Sequence, residues 1–255
     1  MIKHLRLKAY GKINLGLDVI RRRPDGYHEV KMIMQTVRLY DQIEMTSGGA
    51  PGIRLSTNLY YLPDNENNLG YRAARLLMEE FGVQEGLSIK IHKCIPVAAG
   101  MAGGSSDAAA VLYGVNRMFG LGLSLGQLME RGVSLGADVP YCLMRGTALS
   151  EGIGEKLTPP PPMPQCRVLI AKPPVSVSTR WVYEGLALPS LGPEAHPDID
   201  GIREAIEKGD LRGVSSRVGN ILETVTIPAH PEIGAIKEKM KECGALCSLM
   251  SGSGP

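Results

Sequence analysis

The 255-residue chain lacks a charge imbalance. Its 28 Lys and Arg against 26 Asp and Glu leave a net charge of +2. That argues against a nucleic-acid binder, in which basic residues stand in concentrated excess. There is no C-x-x-C pair. The five cysteines, Cys94, Cys142, Cys166, Cys243 and Cys247, are odd in number, and reduced thiols in a cytoplasmic protein are expected rather than a disulfide framework. Met1-Ile2-Lys3-His4 runs into a polar, basic segment, so no signal peptide is expected. No charge-free apolar run reaches the roughly 18–20 residues that span a membrane. His4, His92, His196 and His230 show no metal-ligand spacing, and no protein-held metal is expected. What the chain has in excess is glycine, 31 of 255 residues, or about 12 % where about 7 % is typical. Such an excess points to close backbone approach to a ligand or to many tight turns.

Local patterns divide the chain. Lys12–Ile20 alternates as a strand, Arg23-Pro24-Asp25-Gly26 is a turn, and Val30–Leu39 and Gln42–Thr46 are extended again. A short strand is expected at Ile53–Ser56, an amphipathic helix over Asn67–Phe81, and a strand at Leu87–Lys93. Helices follow from about Ser105 to Phe119 and over Ser124–Leu135, the second opening with the capping box Ser124-x-x-Gln127. Thr158-Pro159-Pro160-Pro161-Pro162-Met163-Pro164 can be neither helix nor inner strand and marks a junction. Beyond it strands are expected at Arg167–Ala171 and Ala245–Met250, with helices near Ser178–Leu186, Asp198–Lys208 and Pro231–Glu242. This irregular order reads as α+β, with an N-terminal domain at 1–157 and a smaller one at 163–255.

The most informative segment is Pro96-Val97-Ala98-Ala99-Gly100-Met101-Ala102-Gly103-Gly104-Ser105-Ser106. It joins an expected strand to an expected helix. Small residues let the backbone close on a polyanion, and the free amides and dipole of a helix start attract one. Ser105 and Ser106 add hydroxyl donors, and Asp107 is a good helix starter. The loop is not a Walker A sequence, having no Gly-Lys-[Ser/Thr], and it lacks the G-x-G-x-x-G of a dinucleotide site. A close-packing turn between sheet and helix is the bland alternative.

Pro96–Ala110 resembles the second motif of the GHMP kinases. Ala9-Tyr10-Gly11-Lys12-Ile13-Asn14-Leu15, Arg23-Pro24-Asp25-Gly26-Tyr27-His28-Glu29 and Gly136-Ala137-Asp138-Val139-Pro140 carry the likeness further, in consistent order from about residue 5 to the end. Ser251-Gly252-Ser253-Gly254-Pro255 looks like the third motif. Relatives continue past it with a threonine, a strand and a helix, so the second domain is expected to be truncated. Some members have glycine in place of Ala98, Ala99 and Ala102.

The resemblance implies the two-domain GHMP kinase fold and an ATP-dependent small-molecule kinase, with Mg²⁺ travelling on the nucleotide. Lys12 and Asp138 match the catalytic pair. Asp138 would accept the proton of the acceptor hydroxyl, and Lys12 would polarise that oxygen and neutralise the moving phosphoryl group. Tyr27 and His28 would bind the cytosine of a polyol linked to cytidine diphosphate, with Tyr183 as the opposing aromatic. Asn14 would hydrogen-bond the acceptor and Lys93 would contact diphosphate or acceptor. Asn68 matches a residue near the adenine, though it is equally a helix cap. A kinase of mevalonate, a sugar or homoserine, or a non-catalytic nucleotide-binding module, are the competing readings. No nucleic-acid or membrane partner is implied.

Overall fold

The computed structural model describes residues 2–254; Met1 and Pro255, the latter closing the Ser251–Pro255 segment, lie outside the described residues. Contacts divide the chain into two compact units that interleave along the sequence. The first takes residues up to Lys12, then Val37–Val97 and Ala102–Arg145. The second takes Ile13–Thr36, Ala98–Met101 and the chain from Gly146 onward. Strands β1 (His4–Arg22) and β2 (His28–Ser47) each contribute to both, whereas the division at the proline run follows linear order.

In the first unit, β3 (Ile53–Thr57) pairs in parallel with β4 (Leu87–His92), from Ile53↔Leu87 to Thr57↔Ile91. The second half of β2 pairs antiparallel with β4, from Gln42↔His92 to Ser47↔Leu87. Alternation buries Ile43, Met45, Leu87, Ile89 and Ile91 on one face and leaves Gln42, Lys90 and His92 exposed on the other. The helices are α1 (Leu69–Glu80), α2 (Gly103–Phe119), α3 (Leu125–Val133) and α4 (Val139–Met144). The capping box of α3 forms as its sequence requires: Gln127 N–H donates to Ser124 Oγ at 3.3 Å, and Ser124 N–H to Gln127 Oε1 at 2.9 Å. Helix α2 lies close on the sheet because Gly114 has no side chain. A Cβ there would meet Met45 Sδ at 2.3 Å and Leu7 Cδ1 at 3.1 Å.

In the second unit the first half of β2 pairs antiparallel with β5 (Thr147–Gly152), which pairs in turn with β6 (Lys156–Thr158). The end of β1 pairs in parallel with β7 (Gly219–Asn220). Leu15, Ile33 and Leu149 from the strands bury Ile199, Ile202, Ala205 and Ile206 of α6 (Ile199–Glu207) and Val214 of α7 (Leu211–Ser215). The remaining helices are α5 (Thr179–Gly185), α8 (Glu223–Ala229) and α9 (Pro231–Glu242).

Two expectations are corrected. Neither Arg167–Ala171 nor Ala245–Met250 is a strand. Among the described residues neither has a ladder partner, and apolar alternation alone does not supply one. Val168, Leu169, Ile170 and Leu246 stay exposed, and both segments line a cavity of about 520 Å³ with Ile233, Ile236 and Met240. The strands β5, β6 and β7 and the short helices α7 and α8 are additions that the sequence patterns did not show. No helix among the described residues is long and apolar enough to cross a membrane.

The close approach of α2 gives a stability test. Gly114→Val is expected to lower the unfolding free energy by about 1–3 kcal/mol through overpacking, more than the few tenths of a kcal/mol that leaving glycine returns in helix propensity. Urea unfolding followed by circular dichroism measures the difference.

Candidate active site

The loop from Pro96 to Ser106 connects β4 to α2. Within it every second residue turns left-handed: Ala98 has φ +54°, Gly100 +62° and Ala102 +54°. Such alternation turns main-chain N–H groups into a shared concavity that suits an anion. An L-residue in that region costs about 1–2 kcal/mol, so two alanines hold the loop's shape against their own preference. Gly100 cannot be replaced so simply: a Cβ there would lie 2.0 Å from the carbonyl oxygen of Ser251.

Helix α2 then starts at Ala102, which offers no side-chain cap. The contrast with its neighbours is informative. Asn68 caps α1, Ser124 caps α3, and Ser178, Asp198 and Asp210 cap α5, α6 and α7. The first-turn amides of α2, from Gly103 to Ser105, have no intrahelical acceptor, and the helix dipole adds partial positive charge there. Ser106 is buried and its hydroxyl donates to the Tyr10 carbonyl, tying the helix start to β1. Gly136, whose missing Cβ would lie 3.8 Å from Ser105 Oγ, brings the Gly136-Ala137-Asp138 segment against the same turn.

Lys12 and Asp138 both influence a residue that sequence reasoning passed over. The buried thiol of Cys142, on α4, is held far above its ordinary pKa first by burial and then by the Asp138 carboxylate, with Asp107 adding to the effect. The Lys12 ammonium and a hydrogen bond with Ser106 act in the opposite direction. Lys12, Asp138, Asp107 and Ser106 thus all act on the protonation of one buried thiol. Lys12 itself is 5 % exposed. Asp138 occupies the N-cap position of α4 without making a cap bond, so its carboxylate is not spent on the helix.

Lys93, expected at a ligand, is engaged within the protein. Its side chain is 5 % exposed, and its ammonium donates to Asp41 Oδ2 and, at 2.7 Å, to Asp107 Oδ2. Asn68 also has its side chain fully used. Its Oδ1 accepts from Gly70 N–H at 2.8 Å, and its Nδ2 donates to the Pro63 carbonyl at 2.8 Å.

The remaining residues lie in the second unit. Asn14 is buried, with Nδ2 3.2 Å from Met32 Sδ, and its main-chain N–H donates to Ser251 Oγ at 3.3 Å. The His28 and Tyr183 rings stack obliquely, with centroids 5.1 Å apart and planes at 40°. Burial first, and then the Arg22 guanidinium, hold the His28 imidazole below its ordinary pKa, which keeps it neutral at pH 7. Tyr27 is 62 % exposed on the Arg23–Gly26 turn. The Ser251–Gly254 turn is held by Asn220, whose Nδ2 donates to the carbonyls of Met250 (2.8 Å) and Gly252 (2.7 Å). Thr226 Oγ1 donates to the Ser253 carbonyl at 3.1 Å. Asn220 had no sequence signal; only the fold brings it to that turn.

A glycine-rich loop with alternating left-handed residues opening an uncapped helix, on this two-domain α+β fold, defines a class. The chain belongs to the GHMP kinase family: the GHMP kinases N terminal domain matches residues 68–146 and the GHMP kinases C terminal domain residues 202–255. Within the family it is similar to the 4-diphosphocytidyl-2-C-methyl-D-erythritol kinase of Lachnoclostridium phytofermentans, 60 % identical over 98 % of this chain and 86 % of that protein. The enzyme of the same name from Lachnospira eligens is 58 % identical over 100 % of this chain and 88 % of that protein. A crystal structure of 4-(cytidine 5'-diphospho)-2C-methyl-D-erythritol kinase superposes with a TM-score of 0.80 at 32 % identity, covering 98 % of this chain and 88 % of that one. The homoserine kinase of Cytophaga hutchinsonii, at 18 % identity and a TM-score of 0.75, covering 100 % of this chain and 84 % of that one, shares the fold.

The raised thiol of Cys142 has a chemical consequence. Little thiolate forms at pH 8, and thiolate is the reactive species. Iodoacetamide on native protein is expected to label the exposed Cys94, Cys166 and Cys243 and leave Cys142 unmodified until denaturant is added. Peptide mass spectrometry reads the order of labelling.

Proposed function

We propose that the chain transfers the γ-phosphoryl group of ATP to the 2-hydroxyl of 4-diphosphocytidyl-2-C-methyl-D-erythritol, a step towards isoprenoid precursors, in the cytoplasm. The observation that supports the reading is the run of alternating left-handed residues from Ala98 to Ala102 leading into the uncapped first turn of α2, a main-chain concavity suited to phosphate. The names of the relatives at 58–60 % identity point to the same acceptor. In this reading residues 1–157 are the N-terminal kinase domain and 163–255 the C-terminal one.

Phosphoryl transfer asks mainly for positioning and charge stabilisation. The amides of the Pro96–Ser106 loop cradle the nucleotide phosphates. Asp138 takes the acceptor's hydroxyl proton as that oxygen attacks the γ-phosphorus and ADP leaves. Lys12 polarises the attacking oxygen and offsets charge on the phosphoryl oxygens. Asn14 orients the acceptor. Tyr27 and Tyr183 offer aromatic faces to the cytosine, and neutral His28 presents one donor and one acceptor to its edge. Asn68 fixes the start of α1 near the adenine, and Lys93 acts on the phosphate loop from within. Mg²⁺ would travel on the nucleotide phosphates and offset their charge.

Purified protein incubated with ATP, Mg²⁺ and the cytidine-linked polyol is expected to give the 2-phosphate, seen by phosphorus NMR, with no turnover of mevalonate or homoserine. ATP consumption only with one of the latter acceptors overturns the substrate. Lys12→Met and Asp138→Asn should each lower kcat by about 10²–10³ with little change in KM for ATP. Tyr183→Ala should instead raise KM for the cytidine substrate, by about 5- to 150-fold if one stacking contact of roughly 1–3 kcal/mol is lost.

A further inference from the structure

The two ends of the phosphate loop are fastened by a charge cluster that the transfer chemistry does not use. Asp41 lies on the inward face of β2 and is fully buried. Its Oδ1 accepts from the main-chain N–H of Cys94 and, at 2.8 Å, of Ile95, and its Oδ2 accepts from Lys93. The Lys93 ammonium reaches from there to Asp107 Oδ2 in α2. It passes close to the helix start, where a Cβ on Gly103 would lie 3.2 Å from Lys93 Nζ and 3.3 Å from Ile95 Cγ2. Residues 93–95, where the chain leaves β4, are thereby joined to residues 103–107, where it enters α2.

The cluster is not balanced. Two carboxylates share one ammonium, and Asp107 Oδ1 is buried with no hydrogen-bond partner among the described residues. An unmatched buried carboxylate oxygen is costly, and a proton on it removes the cost. Burial raises the Asp107 carboxyl to about 7, Asp41 pushes the same way, and Lys93 opposes. Lys93 is itself raised, because Asp107 and Asp41 outweigh its burial. The titratable and charged groups that act on Asp107 are Lys93 beyond β4 and Asp41 of β2, and the Cys142 thiol of α4, which Lys12 and Asp138 also influence, feels Asp107 in turn. Helix α1, which packs on α2, buries only apolar and small residues, Gly70, Ala73, Ala74, Leu77 and Met78.

We propose that Asp107 is a positioning residue, which clamps the phosphate loop through Lys93 and takes up a proton when nucleotide polyphosphate binds at the start of α2. The proposal rests on the nucleotide-binding reading of that loop. An arriving polyanion raises the cost of the unmatched carboxylate, and protonation leaves Oδ2 free to accept from Lys93. A group half-protonated near pH 7 can take up as much as about half a proton when driven to full protonation.

The test is titration calorimetry of the whole protein with ADP at pH 7, in buffers of different ionisation enthalpy. Asp107→Asn keeps an oxygen for Lys93 and loses the titration, while Asp107→Leu loses both. The wild-type enthalpy should vary with buffer by more than the nucleotide's own titration explains, and this excess should vanish in Asp107→Asn. Asp107→Asn should bind ADP within about threefold of wild type, whereas Asp107→Leu should bind about tenfold or more weakly, the cost of one charge-assisted hydrogen bond. Equal buffer dependence in wild type and Asp107→Asn overturns the proposal, as does equal affinity of the Asn and Leu variants. Absence of any ADP heat with wild-type protein is a different failure: it removes the nucleotide reading itself and the proposal with it.

Discussion

Helix α2 begins with main-chain amides that no side chain satisfies, and much of the chain is arranged around keeping them so. A buried helix start without acceptors is unstable unless something supplies them. Five of the other α-helices follow this rule with Asn68, Ser124, Ser178, Asp198 and Asp210 as caps, while α4, α8 and α9 share with α2 the lack of a side-chain cap. At α2 the chain places Ala102, left-handed and unable to cap. Local rules are broken where a ligand is meant to complete them. The left-handed turns at Ala98 and Ala102 add to the same cost, which a phosphate received by the amides would offset in the reading proposed above.

The same logic separates Asp138 from the other acidic residues at helix starts. The Asp198 and Asp210 carboxylates accept from the main-chain N–H groups of Gly201 and Gly213, each at 2.9 Å. Asp138 stands at the equivalent position of α4 and makes no such bond. Pro140 at the second helical position has no N–H to satisfy, and this reduces the need for a cap. The carboxylate is therefore available to a substrate. Cys142, one turn further along α4, registers the electrostatics of the place: burial and the Asp138 carboxylate raise its thiol, while the Lys12 ammonium and a hydrogen bond with Ser106 oppose them.

How much of this was legible depended on whether the signal was local. The loop, the capping box of α3 and the ends of α1 and α9 are written in neighbouring residues, and each formed close to where it was expected. Lys12 and Asp138 were found only through their resemblance to family motifs, since neither has a local pattern of its own. Arg167–Ala171 and Ala245–Met250 had the composition of strands, but a strand is defined by its partner. Lys93 was expected at a ligand because its counter-charges, Asp41 and Asp107, are remote in sequence and gave no sign of pairing with it. Asp107 read as a helix starter. Asp41 had one usable signal: Val37, Leu39, Ile43 and Met45 share its strand parity, so a carboxylate stood on an apolar face.

That misplaced aspartate explains why a buried charge is tolerated at all. A carboxylate removed from water is destabilising unless hydrogen bonds and counter-charge replace its hydration. Asp41 has both, with two main-chain donors on one oxygen and the Lys93 ammonium on the other. An apolar residue of the same size would pack on that face but could not hold the amides of Cys94 and Ile95, nor fix Lys93 against the start of α2. Fixing those atoms is what a phosphate site needs, because amides that must first be ordered bind less tightly than amides already aimed. The unmatched oxygen of Asp107 is the remainder left by this arrangement. It lies just past the first turn of α2, joined through Lys93 to the strand end from which the loop departs.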